Sequence, residues 1–294
     1  MFDPKPRHFQ RPPHFAPAWL RAIFAAHKRP RGVPVVPRLA MTLGPQTTDS
    51  ARLSAYRALC GFAGTATLPP TWPQVVAGAL HLQMLTDPKF PLPSMGVVHL
   101  RNHIEQTRPL SPSDVLEYAC HLEPARATAK GLEIDIVTHA LCQGEVVWKC
   151  VITVLSRVGQ SAVRSAESRS PPPPSEEAGE VLTSRLLQVP ADMGRRYARV
   201  AGDFNPIHQH ALLARPFGFR TAIVHGMWSL AQCVAACEPH LPPAPLAIDV
   251  AFKRPVELPS RVQMTVRRRG DGLAFALTSR GDVVVHLVGS VARI

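Results

Sequence analysis

Tyr197-Ala198-Arg199-Val200-Ala201-Gly202 repeats, in residue type and order, an earlier stretch of the same chain, Tyr56-Arg57-Ala58-Leu59-Cys60-Gly61. Working outward from these two hexapeptides, the similarity continues. An apolar helix is predicted after each, over 74–85 and over 226–237. Arg108-Pro109-Leu110 is matched by Arg254-Pro255-Val256. Strand candidates at 115–122, 131–138 and 145–157 are matched by candidates at 262–268, 272–279 and 282–293. The tyrosines are 141 residues apart and the Arg-Pro pairs 146 apart. A repeat of that length, with its elements in one order, is a domain copied once rather than a solenoid.

The two helices are apolar around most of their circumference: Val75, Val76, Ala79, Leu80 and Leu82 in one, Met227, Leu230, Ala231 and Val234 in the other. A helix of that kind is buried. The late strands alternate, with Val262, Met264 and Val266 on one face and Gln263, Thr265 and Arg267 on the other. A sheet wrapped around a buried helix is a hotdog. The expected fold is therefore α+β, a double hotdog of two antiparallel sheets, each wrapped around a central helix. Pro171 to Pro174, followed by Ser175-Glu176-Glu177, favours an extended spacer and cannot enter a sheet interior. The expected divisions are a basic N-terminal arm with a short helix at 1–35, a first hotdog at 36–164, a Pro-rich linker at 165–180 and a second hotdog at 181–294. Residues 1–14 read as loose. Phe15, Trp19, Ile23 and Phe24 then fall at helical spacing, with Pro17 suited to a first turn, and predict a short helix packed on the body.

Composition narrows the class. Hydrophobic residues make up 46% and charged residues 18%, enough for a large core and unlike a disordered chain. The net charge is +12, and residues 1–38 carry Lys5, Arg7, Arg11, Arg21, Lys28, Arg29, Arg31 and Arg38 against Asp3 alone. Such a surface suits an anionic partner. The six cysteines form no CxxC pair and sit mostly in apolar runs, which predicts reduced core thiols rather than a zinc site or disulfide frame. No uninterrupted apolar run reaches a spanning length, and no signal peptide is evident, so a cytoplasmic enzyme is the default. Phosphate-loop, dinucleotide, HExxH and GxSxG motifs are all missing. The expectation is therefore no cofactor, no metal, no specific nucleic-acid binding and no transmembrane segment, with homodimerisation left open.

The copies differ in one place. Tyr197 and Gly226 are 29 residues apart, whereas Tyr56 and Pro73, just before the matching helix, are 17 apart. The extra dozen residues of the second copy include Asp203-Phe204-Asn205-Pro206-Ile207-His208; in the first copy Gly61 runs straight into Phe62. A carboxylate and an imidazole five residues apart, joined by a turn-forming Asn-Pro, can reach one water.

The segment Tyr197-x-x-Val200-Ala201-Gly202-Asp203-x-Asn205-Pro206-Ile207-His208, with Val224-His225-Gly226-Met227 downstream and Phe252-Lys253-Arg254-Pro255-Val256 beyond, resembles the signature of the MaoC-like dehydratases, among them the (R)-specific enoyl-CoA hydratases. The resemblance is good over 185–294, weaker over 40–160, where it is to the degenerate half of double hotdog members, and does not cover 1–35. It implies a hydro-lyase that interconverts (3R)-3-hydroxyacyl and trans-2-enoyl thioesters of coenzyme A or acyl carrier protein. It assigns Asp203 and His208 as the catalytic pair and the Gly226 N–H as oxyanion donor. Asn205 is expected to brace the loop and His225 to support the site or start the helix. As polar residues taken to be exposed, Asp203 and His208 are expected to be replaceable at little cost in stability. Tyr197, with its repeat partner Tyr56, is expected to pack. His99, Asn102 and His103 read as packing or tunnel lining in the first copy, His210 and Arg215 as exposed. A hotdog thioesterase and a non-catalytic acyl-binding subunit are the alternatives; the Asp-x-Asn-Pro-x-His segment favours the hydro-lyase.

Overall fold

The computed structural model describes residues 5–25, 34–95, 97–156, 179–281 and 283–294. Most of the Pro-rich linker, with its four consecutive prolines, lies outside them.

The first half runs β2 (Ala40–Gln46), α2 (Ser50–Cys60), α3 (Trp72–Leu85), β3 (Val98–Gln106), β4 (Leu116–Leu122), β5 (Arg126–Thr128), β6 (Gly131–Cys142) and β7 (Glu145–Ser156). The second runs β8 (Val181–Val189), α4 (Met193–Ala201), α5 (Ala211–Ala214), α6 (Gly226–Cys237), β9 (Leu246–Phe252), β10 (Ser260–Arg269), β11 (Gly272–Ser279) and β12 (Val285–Arg293). Apart from the small β5 and the α5 insertion, the halves are element-for-element copies.

Ahead of both lie β1 (Arg7–Phe9) and α1 (Phe15–Ala25). Here the structure corrects the sequence reading: the region expected to be loose contains β1, which pairs in parallel with β2, His8 opposite Thr42. The helix read from Phe15 onward is present and packs through Ala18 and Ala22, both fully buried. Arg21 Nη2 donates to the Gln83 amide oxygen, which ties α1 to α3.

Each half wraps five strands around its long helix, β2-β4-β6-β7-β3 around α3 and β9-β12-β11-β10-β8 around α6. The two sheets expected from the sequence are joined edge to edge. β3 and β9 pair antiparallel over six residue pairs, from Arg101 opposite Ala251 to Gln106 opposite Leu246, and the whole forms one 12-stranded sheet. Near the middle of this seam His103 Nδ1 and Asp249 Oδ1 are 2.7 Å apart. Leu80, Leu230, Ile104 and Ile248 are fully buried in the common core. All six cysteines are free.

The helices start differently. α3 begins at Trp72, 2% exposed, with Pro73 in its first turn and Thr71 buried before it. α6 begins at Gly226, preceded by His225.

The repeated hexapeptides close α2 and α4. Gly61 and Gly202 both sit in the left-handed region, at φ 83° and 81°, where a side chain is strained. Tyr56 and Tyr197 pack in the core, 2% exposed or less, with ring centroids 6.3 Å apart. Backbone carbonyls accept further hydrogen bonds across the halves: Arg52 Nε donates to Val200 O at 2.7 Å, and Trp228 Nε1 and Gln232 Nε2 both donate to Leu59 O.

Candidate active site

The left-handed turn at Gly202 throws the chain out of α4 and delivers Asp203 to the edge of a cavity of about 1280 Å³. The loop then folds on itself. Asp203 Oδ1 accepts the Asn205 N–H at 3.1 Å, and Asn205 Oδ1 accepts the Ile207 N–H at 3.3 Å, starting a short 3₁₀ turn, Pro206–His208. Such side-chain-to-backbone bonds are what make Asp and Asn turn formers. The turn points His208 inward, where it is 8% exposed. That differs from the sequence expectation of an exposed histidine. The dozen inserted residues form a shelf of short helical turns over the cavity wall.

His208 Nδ1 lies 2.8 Å from the Ile223 carbonyl oxygen. A carbonyl only accepts, so Nδ1 carries the proton and Nε2 holds a lone pair. His225 Nε2 is 2.9 Å from the Asp203 carbonyl oxygen and is protonated by the same reasoning. The two imidazoles are stacked, with centroids 3.7 Å apart and 28° between planes, and Tyr197 packs on His225 at 4.9 Å. Burial, reinforced by the facing His225, pushes His208 down to about 3, although Asp203 and the Ile223 carbonyl act the other way. His225 is lowered by burial too, against the opposing effect of Asp203. Both rings are therefore neutral near pH 7.

A potential ligand atom from each of Asp203, His208 and His225 lies within 4.8 Å of the other two. The Asp203 side chain is 47% exposed, so it faces the opening, while the histidines form the inner wall. One water making two hydrogen bonds of about 2.8 Å each bridges a gap of this size. A metal ion fits less well. The rings lie nearly parallel, and one nitrogen of each is held by a backbone carbonyl.

Gly226, in the first turn of α6, also lines the cavity. Backbone N–H groups there have no acceptor within the helix and lie at the positive end of its dipole. A Cβ on Gly226 would come 3.0 Å from the Phe252 ring, so glycine keeps the backbone open to an approaching group.

The remaining sequence candidates separate. His99 lines the cavity, its ring 4.6 Å from Phe252, and burial lowers it to about 4. Asn102 is buried and its amide donates to Gln74 Oε1 at 2.6 Å. His103 is on the seam with Asp249, its pKa raised to about 9 chiefly by that hydrogen bond, and has no part in the cavity wall. His210 and Arg215 are exposed. The sequence reading missed Phe15 and Trp19 of α1, which also line this cavity.

The structure is thus a duplicated hotdog in which one copy carries an inserted Asp-x-Asn-Pro-x-His loop beside the start of its buried helix. The profile described as MaoC like domain matches residues 174–287. The chain is 32% identical over 265 residues to 3-hydroxyacyl-thioester dehydratase X of Mycobacterium tuberculosis, covering 88% of this chain and 93% of that one. A crystal structure of HtdX from the same organism superposes with a TM-score of 0.73 at 30% identity, over 86% of this chain and 99% of that one. A MaoC-like dehydratase from Phytophthora capsici, at 17% identity and a TM-score of 0.69, shares the fold over 87% of this chain and 95% of its own. The chain belongs to the MaoC-like dehydratase family. Among the described residues no helix is long and apolar enough to cross a membrane.

Proposed function

We propose that this protein is a hydro-lyase interconverting (3R)-3-hydroxyacyl thioesters and trans-2-enoyl thioesters plus water, with Asp203 and His208 as the acid–base pair and the Gly226 N–H as oxyanion donor. The observation that carries this reading is the fixed tautomer of His208: its Nδ1–H is held by Ile223 O, leaving a neutral Nε2 able to accept a proton beside the Asp203 carboxylate. In the hydration direction a water held by both side chains gives up a proton as its oxygen attacks C3. The charge that develops on the thioester oxygen meets the Gly226 N–H and the positive end of α6. The pair then returns a proton to C2. In dehydration the same groups act in reverse. Asn205 keeps the loop in shape, and His225 holds the Asp203 backbone while stacking on His208.

The substrate is an acyl thioester of coenzyme A or of an acyl carrier protein. Arg220, Lys253 and Arg254 line the cavity from the second half and make no ion pair among the described residues, as suits a phosphate-bearing carrier. The first half contributes acyl-chamber wall in place of chemistry. A cytoplasmic location fits this reading. The test is a spectrophotometric assay at the enoyl-thioester absorbance, run on both carriers. Loss of absorbance without thiol release supports hydration; release of free thiol at a comparable rate would instead identify a thioesterase.

A further inference from the structure

The cavity is not built by the two hotdogs alone. The segment outside the repeat adds two aromatic residues to its wall, Phe15 and Trp19 of α1. α1 is fixed from both sides: upstream β1 is hydrogen-bonded to β2, and Arg21 is bonded to Gln83 in the last turn of α3. The Phe15 ring occupies the space where a Cβ on Gly202 would stand. Phe15 thus packs against the residue immediately before Asp203. Trp19, one helical turn on, lines the cavity too, and α1 as a whole packs against α3. The Trp19 indole Nε1 is buried and has no hydrogen-bond partner among the described residues. Leaving that donor unpaired costs free energy. A shape requirement on the ring explains why so large a group is kept there.

A second observation comes from α3. Among its cavity-lining residues, Val75, Gly78, Leu82 and Leu85 follow helical spacing and form one stripe, flanked by Gln74 and His81. In the middle of that stripe is a glycine, unfavourable inside a helix. Nothing lies within 4 Å of where its Cβ would be, so no close packing demands it; it leaves open space on the cavity side. Within those flanks the stripe itself is apolar, and Arg220, Lys253 and Arg254, which make no ion pair among the described residues, belong to the other half. An acyl chain whose carrier sits at those cations extends toward α3 and α1.

We infer that α1 is the wall bounding the acyl chamber on the α3 side, with Trp19 limiting the length of chain that fits and Gly78 supplying the room that admits it. This rests on the proposed acyl-thioester reading and specifies its substrate range. The residues concerned shape the pocket and take no part in proton transfer.

The test uses the full chain with Trp19→Ala, Trp19→Phe and Gly78→Leu. Hydration of short-, medium- and long-chain trans-2-enoyl-CoA gives kcat/KM, and calorimetric binding of the saturated acyl-CoA series reports the chamber without any reaction. The expected result is that Trp19→Ala improves kcat/KM for the longest chain relative to the shortest by on the order of tenfold, with Trp19→Phe intermediate. Gly78→Leu should shift the ranking the other way, and binding should move in parallel. An unchanged ranking in both Trp19→Ala and Gly78→Leu overturns the inference. If the wild type hydrates no enoyl-CoA, the reaction assignment fails, while the binding series still decides the chamber. Gly78→Leu lies on the core helix, so it tests the chamber even if Trp19→Ala loosens α1.

Discussion

The links from α2 to α3 and from α4 to α6 start from the same left-handed glycine and end at the same kind of buried helix, yet only one reaches the cavity with polar groups. After Gly61 comes Phe62, 7% exposed and stacked on Tyr56 at 6.1 Å, so the first link anchors in the core before crossing the surface at 63–67. After Gly202 comes Asp203, half in solvent, and then a loop tied by its own Asp and Asn. The backbone bend is common property; the residues just beyond it decide between packing and chemistry. Neither half is dispensable on this account, since the cavity is lined by α3, β3 and α6 together.

The strongest way to break the comparison is to separate the halves. Residues 179–294 alone would bare the β9 edge and the core face now covered by the first half, and should fail to give a soluble, cooperatively melting, active protein. Full activity on long-chain substrates from that fragment would refute a shared chamber.

Next come the groups present in one half only. Asp203→Asn and His208→Gln should each lower kcat by about 10²–10⁴-fold, in line with the loss of an acid–base group. Asp203→Asn should leave the melting temperature close to wild type. His208→Gln should cost about 1–3 kcal/mol, because the Ile223 carbonyl depends on this buried ring. Near-normal turnover in either variant would remove the pair from the mechanism.

A further effect, drawn from both halves, is expected in acid. His81 and His99 in the first half are lowered to about 4, and His208 and His225 in the second are also lowered, in every case chiefly by burial. In unfolded chain these histidines take up protons near pH 6.5. The folded state resists that uptake, so stability is full above pH 6.5 and declines as pH falls, by about 1.4 kcal/mol per histidine per pH unit. Denaturant midpoints measured from pH 7.5 to 5 should fall accordingly, and kcat/KM should show no ionisation of His208 over the same range. A flat stability profile would show that the rings are hydrated and ordinary.

The smallest expected effect sharpens the role of α3. Gly78→Ala meets no atom within 4 Å and should stabilise the helix by about 1 kcal/mol, read as a rise in the denaturant midpoint. A loss of stability would mean that the space beside Gly78 is not open.

Much of this was legible in the sequence because it is local. The α6 bounds, the strand at 272–279 and the packing of Tyr197 and its repeat partner Tyr56 follow from periodicity and repetition. The Asp203–His208 loop stood out as an insertion in one copy. Other features depend on distant residues and leave no local trace. β1 is three residues long, in a proline-rich arm, and exists only through its pairing with β2. The β3–β9 seam could not be read because either edge would look the same with another partner. The burial of His208 escaped notice since polar turn residues usually face water, and only the fold shows that this turn faces inward.

The helix starts carry one more consequence. Where α6 starts with a glycine and a bare amide, α3 starts with Trp72, a bulky indole, and then Pro73, which has no N–H to give. The first half thus lacks both features that the proposed mechanism uses in the second, the inserted loop and a glycine at the helix start. Transplanting the loop alone would therefore not be expected to give the first half a second site of the proposed kind, because the amide at its helix start would still be missing.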